Sequence, residues 1–224
     1  MTRPGSRLPP RLRRGLAAFA ALALLAGCAT GRGQANRAVV EQPEPGWRDI
    51  LSPADQARLD GLDSSWTTAL EEARRGGFTR RVANEGALLD PAGALPRAAP
   101  APGSYRCRLI RIRPGSRRVR AFTSSVPYFC DVGAAAEMLS LTQQSGPERP
   151  GGYLWADGDG RMIFIGAAAR GRESGPPAYG DSGERNVVGI LERVGQFRYR
   201  LVMPAPANGA TLEILELIPA LTSR

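Results

Sequence analysis

The sequence predicts a mainly β domain with an N-terminal helical segment (α+β). Its strands are expected to form an antiparallel meander of eight or nine strands that closes into a small barrel or sandwich. Three observations carry this. From Tyr105 onward the chain is a series of short Val, Ile, Leu, Phe and Tyr runs cut by Gly, Pro and Asp turns. Before that, apolar residues recur at helical spacing between Ser52 and Gly77. Near the end, Gly195-Gln196 joins two apolar runs and reads as a two-residue hairpin.

Taken in order, Ser52-Pro53-Ala54-Asp55 offers an N-cap serine, a proline at the first helical position and an acid two residues later. Leu59, Leu62, Trp66, Ala69, Leu70 and Ala73 then lie on one stripe, with Asp55, Asp60, Asp63, Glu71 and Glu72 off it. This predicts one amphipathic helix over about 53–75, ended by Gly76-Gly77, with Trp66 as a core anchor. A short helix is expected around 82–89, followed by the connector ALPRAAPAPG. Candidate strands fall near 105–113, 118–123, 126–132, 136–143, 151–156, 161–168, 187–194, 197–203 and 211–218. Asp157-Gly158-Asp159-Gly160 reads as a hairpin turn rather than a Ca²⁺ loop, because no glutamate follows at EF-hand spacing.

The N-terminus predicts export. Residues 1–14 carry five arginines and no acid, an apolar run follows from Leu16 to Leu25, and LALLAGCAT spans 22–30. Positive, apolar and small-residue regions in that order describe a signal peptide, and the apolar run is shorter than the roughly 20 residues a membrane span needs. Leu25-Ala26-Gly27-Cys28 looks like a bacterial lipobox, so residues 1–27 are read as a lipoprotein signal peptide and Cys28 as the lipidated residue. Ala29 is not the aspartate of inner-membrane retention, so the expected location is the outer membrane, facing the periplasm. Residues 28–46 would be the lipidated Cys and a flexible tether with an r.m.s. span of roughly 25 Å. The span 47–219 would be a single helix-plus-β domain.

Composition narrows the chemistry. The formal charge is +9, and removing the five arginines of the leader leaves +4, too small an excess to imply nucleic acid. All 30 basic residues are arginine, with no lysine and no histidine. A histidine base or metal ligand, a Schiff-base lysine and a P-loop lysine are thereby excluded. No metal site and no cofactor is expected. Beyond Cys28, Cys107 and Cys130 form an even pair that, in an oxidising compartment, reads as a disulfide.

The binding candidates are two. Residues 169–186, ARGRESGPPAYGDSGERN, make a longer loop than compact domains usually carry, and Glu173, Tyr179 and Arg185 are its recognition candidates. Arg106 and Arg108 alternate with Tyr105, Cys107 and Leu109, so their forked guanidinium groups are candidates for an anion, against the plainer reading of a solvated face. Glu192, Arg193, Arg198 and Arg200 need only cross-strand pairing. Asp157, Glu173, Asp181 and Glu184 are the acids from which a glycosidase-type carboxylate pair would have to be drawn.

The combination of Trp47 and Trp66, PGSYRCR at 102–108, PYFC at 127–130, Tyr179-Gly180, VVGILERVGQFRYRLVMPAP at 187–206 and LEILELIP at 212–219 resembles an uncharacterised bacterial envelope family, the domain of unknown function 4893. The resemblance spans about 47–219 and implies a domain boundary and a cysteine pair, but no activity. The function expected is a lipid-anchored, non-enzymatic binding or interaction protein of the cell envelope. Its partners would be the membrane, through the anchor, and an envelope protein or anionic envelope ligand. The alternatives are a histidine-free cell-wall hydrolase using a carboxylate pair and a periplasmic protease inhibitor.

Overall fold

A computed structural model describes residues 46–220. The expected leader, Cys28 and the tether up to residue 45 lie outside the described residues. All nine strand segments form, as β1 (Gly103–Ile112), β2 (Phe122–Ser124), β3 (Tyr128–Ala135), β4 (Met138–Gln143), β5 (Glu148–Ala156), β6 (Met162–Arg170), β7 (Asn186–Gly195), β8 (Arg198–Pro204) and β9 (Leu212–Pro219). Each pairs antiparallel with its neighbours. β9 returns to β1 through an eight-residue register from Tyr105↔Pro219 to Ile112↔Leu212. Eight strands therefore close a barrel, and the sandwich alternative is resolved. β2 is an extra strand on β1. It pairs with residues 110–112, beyond the point where β3 stops pairing.

Strand alternation sorts side chains into an inner and an outer set. Tyr105, Cys107, Val132, Leu154, Phe164, Leu201, Leu215 and others fill the barrel. Cys107 and Cys130 are disulfide-bonded inside it, with Cα atoms 6.0 Å apart. The small lumen brings β5 and β6 together at Gly152↔Gly166. There a Cβ on either residue would lie 2.2 Å from a carbonyl oxygen of the other strand, so only glycine fits.

Much of the outer wall is also apolar, and the helices cover it. Trp47 and Leu51 belong to the α1 (Trp47–Ile50) region and Leu59 to α2 (Pro53–Asp60); they pack on Ile163, Ile165, Val188 and Ile190. Trp66, Ala69 and Ala73 of α3 (Leu62–Arg75) and Leu88 and Leu89 pack on Ile110, Ile112, Val202, Leu212 and Ile214. The single helix expected over 53–75 is thus two, broken at Gly61, whose N–H turns back to the carbonyls of Ala57 and Leu59. The break lets one stripe follow the curved wall, Leu59 covering β6–β7 and Trp66 covering β8–β9. The helix expected around 82–89 is α4 (Thr79–Glu85) continued by a 3-10 turn, Gly86–Leu89. The cap forms as expected: the Ser52 hydroxyl accepts from the Asp55 N–H, with Pro53 at the first helical position. The hairpin turn lies one residue later than expected, with Gly195 and Arg198 paired around Gln196-Phe197.

The two barrel ends differ. The connector after the 3-10 turn crosses one of them. Leu95 N–H donates to the Arg193 carbonyl, Ala98 N–H donates to the Asp159 carbonyl, and the Tyr105 hydroxyl donates 2.7 Å to the Ala101 carbonyl. Burial first, and then the neighbouring Tyr199, pushes the Tyr105 hydroxyl up to a pKa of about 12. The opposite end is open.

Candidate functional site: the open barrel mouth

The open end is bounded by the last residues of β1, β4, β6 and β8 and the first of β5, β7 and β9. Leu109, Val187 and Met203 form an apolar floor under a hollow of about 120 Å³. Above them stand Arg111, Glu148, Glu213, Gln143 and Asn208. Glu213 is 6 % exposed and is held by Arg111 Nε and by Asn208 Nδ2 at 2.9 Å. Glu148 is looser, its carboxylate 3.5 Å from Arg111 Nη2 with its side chain 43 % exposed. Among the described residues Arg111 Nη1 has no hydrogen-bond partner. One guanidinium therefore faces two carboxylates, a trio with one positive and two negative charges, and its Nη1 keeps donor capacity.

The mouth opens sideways into a groove beside β2, lined by Arg113, Thr123, Ser124, Ser125 and Tyr128. The ladder is interrupted here, and Ser125 replaces it: its hydroxyl accepts from Leu109 N–H at 3.0 Å while its own N–H donates to the Leu109 carbonyl.

Of the long loop's three candidates, Arg185 lines one side of the mouth, and Glu173 and Tyr179 do not. Glu184 and Arg185 line the hollow. Arg185 is ion-paired with Glu173 and donates to the Ala168 carbonyl; Arg170 pairs with Glu184 at 3.2 Å. The Arg185 hydrogen bond, then the Arg170 N–H, hold the exposed Glu173 carboxyl below its usual range. Tyr179 does not line the mouth. It lies on the outer wall, its hydroxyl donating 2.6 Å to Asp55 Oδ2 and accepting from Ser52 N–H at 2.9 Å. Asp55 Oδ2 also accepts from Asn186 Nδ2 and the Ser52 hydroxyl, and Oδ1 pairs with Arg58 at 2.7 Å. Burial pushes the Asp55 carboxyl up. The donors Tyr179, Asn186 and Ser52 and the Arg58 charge outweigh it and hold the carboxyl below its usual value. This node fastens the loop to α2 and β7.

The arginine pair is likewise divided. Arg106 is exposed, between Phe129 and Ile218 of the flanking strands. Arg108 is corrected as an anion site: Glu85 takes it by a two-pronged contact at 2.8 and 2.6 Å and Glu216 binds its Nε at 2.7 Å, so its donors are spent. Glu85 above all holds its charge. The cross-strand reading of Arg200 is also too small. It does pair with Glu192, but its side chain is fully buried, donates to the carbonyls of Ala87, Leu88, Asp90 and Pro91, and lies 5.1 Å from the Trp66 ring centre.

Of the acids weighed as a catalytic pair, Asp157 binds Trp47 Nε1 and Arg161, Glu173 and Glu184 are paired as above, and Asp181 is exposed. The structure brings Glu148 and Glu213 together instead. Among the described residues no three His, Cys, Asp or Glu side chains are grouped to hold a metal ion.

Residues 47–217 match a family model described as Domain of unknown function (DUF4893). The chain belongs to this family. The match begins at Trp47, the first helical residue, and ends at Leu217 within the barrel-closing strand, so the DUF4893 domain is the helix-wrapped barrel itself. No curated protein and no solved structure matches the chain.

Proposed function

We propose that this DUF4893 protein is a lipid-anchored, non-enzymatic binding protein of the bacterial envelope, placed on the outer membrane facing the periplasm, and that its ligand seats in the barrel mouth. The observation that supports this is the Arg111 guanidinium, with donor capacity left over above an apolar floor. Such a site suits a compact apolar group with a carboxylate head, as at the end of an envelope peptide. A hydrolase is the second reading because Glu148 and Glu213 share the mouth, but Glu213 is already held there by Arg111 and Asn208. An inhibitor is less favoured: the long loop is laid along the wall by Tyr179 and Arg149 rather than projected from it.

The test uses N-acetyl-leucine and its amide with the full-length chain. N-acetyl-leucine is expected to shift the methyl resonances of Leu109, Val187 and Met203, the amide to do so at least several-fold more weakly, and Ala168→Leu, which fills the hollow, to abolish both. Equal responses in the wild type and the filled variant would sink the mouth as a site. Release of cell-wall sugars by the wild type, lost in Glu213→Gln, would instead make it an enzyme. The anchor is tested separately: labelled palmitate should enter the wild type and not Cys28→Ser, and a wild type that takes up no label and fractionates as soluble removes that part of the reading.

A further inference from the structure

Beside the mouth, residues 113–121 leave β1 and return to β2 as a loop of sequence RPGSRRVRA. It has a defined shape. Arg113 N–H donates to the Ala121 carbonyl at its base, Ser116 and Val119 exchange backbone hydrogen bonds, and the Ser116 hydroxyl accepts from the Arg118 and Val119 N–H groups. Its base packs on the end of α3, where a Cβ on Gly76 would come within 2.8 Å of the Ala121 side chain. Between loop and helix end lies a cleft of about 580 Å³, lined by Arg75, Arg117, Arg118 and Arg120 with Phe78 and Val119.

The charges of this cleft are not answered by the fold. Glu72 is the acid on its wall, and its carboxylate accepts from the Thr211 hydroxyl at 2.6 Å. Arg75 is 3.8 Å from Glu71, both well exposed. Among the described residues the side chains of Arg117, Arg118 and Arg120 have no ion-pair or hydrogen-bond partner, whereas Arg108, Arg111, Arg198 and Arg200 are all paired. Arg74 and Arg75 sit at a helix C-terminus, where cations are favoured. The loop arginines have no such cause, and edge protection does not explain them, because they lie off the strands. At the loop tip Val119 is 41 % exposed between Arg118 and Arg120. Forked cations around an exposed apolar side chain are what a lipid–water interface selects: the guanidinium groups meet phosphates and the apolar tip enters below them.

We infer that this four-arginine cleft docks on an anionic phospholipid surface, taking lipid phosphate between the loop and the end of α3. The reading is independent of the mouth and of the acyl anchor. The test therefore uses the mature chain, from residue 28 and carrying Cys28→Ser, and sedimentation with phosphatidylcholine vesicles, with and without phosphatidylglycerol. Binding is expected only to the anionic vesicles, to weaken as salt is raised, and to fall on the order of 100-fold when Arg117, Arg118 and Arg120 are all changed to Gln. Val119→Ser should weaken it several-fold at unchanged charge. All four side chains are exposed, so an unchanged melting curve is the folding control. Binding to neutral vesicles as strong as to anionic ones, or a triple variant that binds like its parent, would overturn the inference. So would a cleft that takes inorganic phosphate in calorimetry while the anionic vesicles stay unbound, which would make it a site for a soluble phosphate.

Discussion

Two arginine–glutamate clusters share strands β1 and β9, one on each face of the barrel wall. On the outer face Arg108, Arg198 and Arg200 meet Glu85, Glu192 and Glu216 beneath the helices. On the inner face Arg111 meets Glu213 and Glu148 in the mouth. The residue types are the same, but the outer cluster matches three arginines to three glutamates and the inner one sets a single arginine against two. Arg200 is fully buried, with contacts to one carboxylate, four carbonyls and an aromatic face, so each of its three nitrogens is engaged. Arg111 serves a nearly buried glutamate with one edge and a half-exposed one, loosely, with the other. A saturated cluster joins helix to strand. An unsaturated one, over an apolar floor, keeps donor capacity for the proposed ligand.

Substitutions graded by size can break this contrast. The largest loss is expected for Arg200→Ala. It leaves Glu192 under the helices without its partner and strips four carbonyls of a donor, which should cost about 3–5 kcal/mol in urea unfolding. Arg200→Met paired with Glu192→Leu should recover a good part of it; a single variant within about 1 kcal/mol of wild type would mean the cluster is not the fastener described.

Next comes the staple of β1, the strand from which Arg108 projects outward and Arg111 inward. The cysteines are 23 residues apart, and opening a loop of that size with Cys107→Ser or Cys130→Ser should cost roughly 3–4 kcal/mol. Thiol titration of the unfolded wild type, with and without reductant, should show this pair oxidised.

A smaller effect, with a pH signature, is expected at the Asp55 node. Tyr179→Phe removes a buried hydrogen bond to a charged group, about 1.5–3 kcal/mol at neutral pH. Because the folded carboxyl titrates below its unfolded value of about 3.9, its contribution is full above that pH and drains away as pH falls through the folded value. Without the Tyr179 donor the folded carboxyl shifts up, so the variant should lose less stability between neutral and acid pH than the wild type does. Parallel melting curves from pH 7 to pH 3 check the sign. An equal pH dependence in the two proteins would detach Tyr179 from Asp55.

The smallest change in stability is expected for Glu148→Gln, at the partly solvated end of the mouth cluster: less than about 1 kcal/mol by urea unfolding. The same change frees the outer edge of Arg111 and should tighten N-acetyl-leucine binding. A large stability loss here would mean the mouth cluster is a fastener like its outer neighbour.

The sequence carries the architecture better than the site. Strands announce themselves because turn residues bracket each apolar run, and the capped helix start at Ser52 is local chemistry that needs no partner. The break at Gly61 was not legible: the stripe continues across it, and only the curvature of the wall demands the bend. The mouth was missed for a related reason. Leu-Glu-Ile-Leu-Glu-Leu in β9 alternates between two apolar faces, so Glu213 and Glu216 resemble solvated residues until the barrel closes and sends one inward and the other beneath the helices. A strand apolar on both faces that nonetheless carries two acids was the available signal, since unpaired acids are not left inside. Tyr179 looked like a recognition residue because its partners, Ser52 and Asp55, are more than 120 residues away.

The closure of β9 on β1 also sets an order of assembly. Cys107 faces Leu217 across that seam, 110 positions later in the chain, and the helical segment rests on β6 to β9 as well as on β1. A chain that emerges N-terminus first can build the β1–β3–β4 hairpins and seal its disulfide early. Its helices have only the β1 part of their wall until the later strands arrive, and the lumen stays open until the last strand is in place. Folding is therefore deferred to the end of the chain, with the long loop closures that slow such topologies.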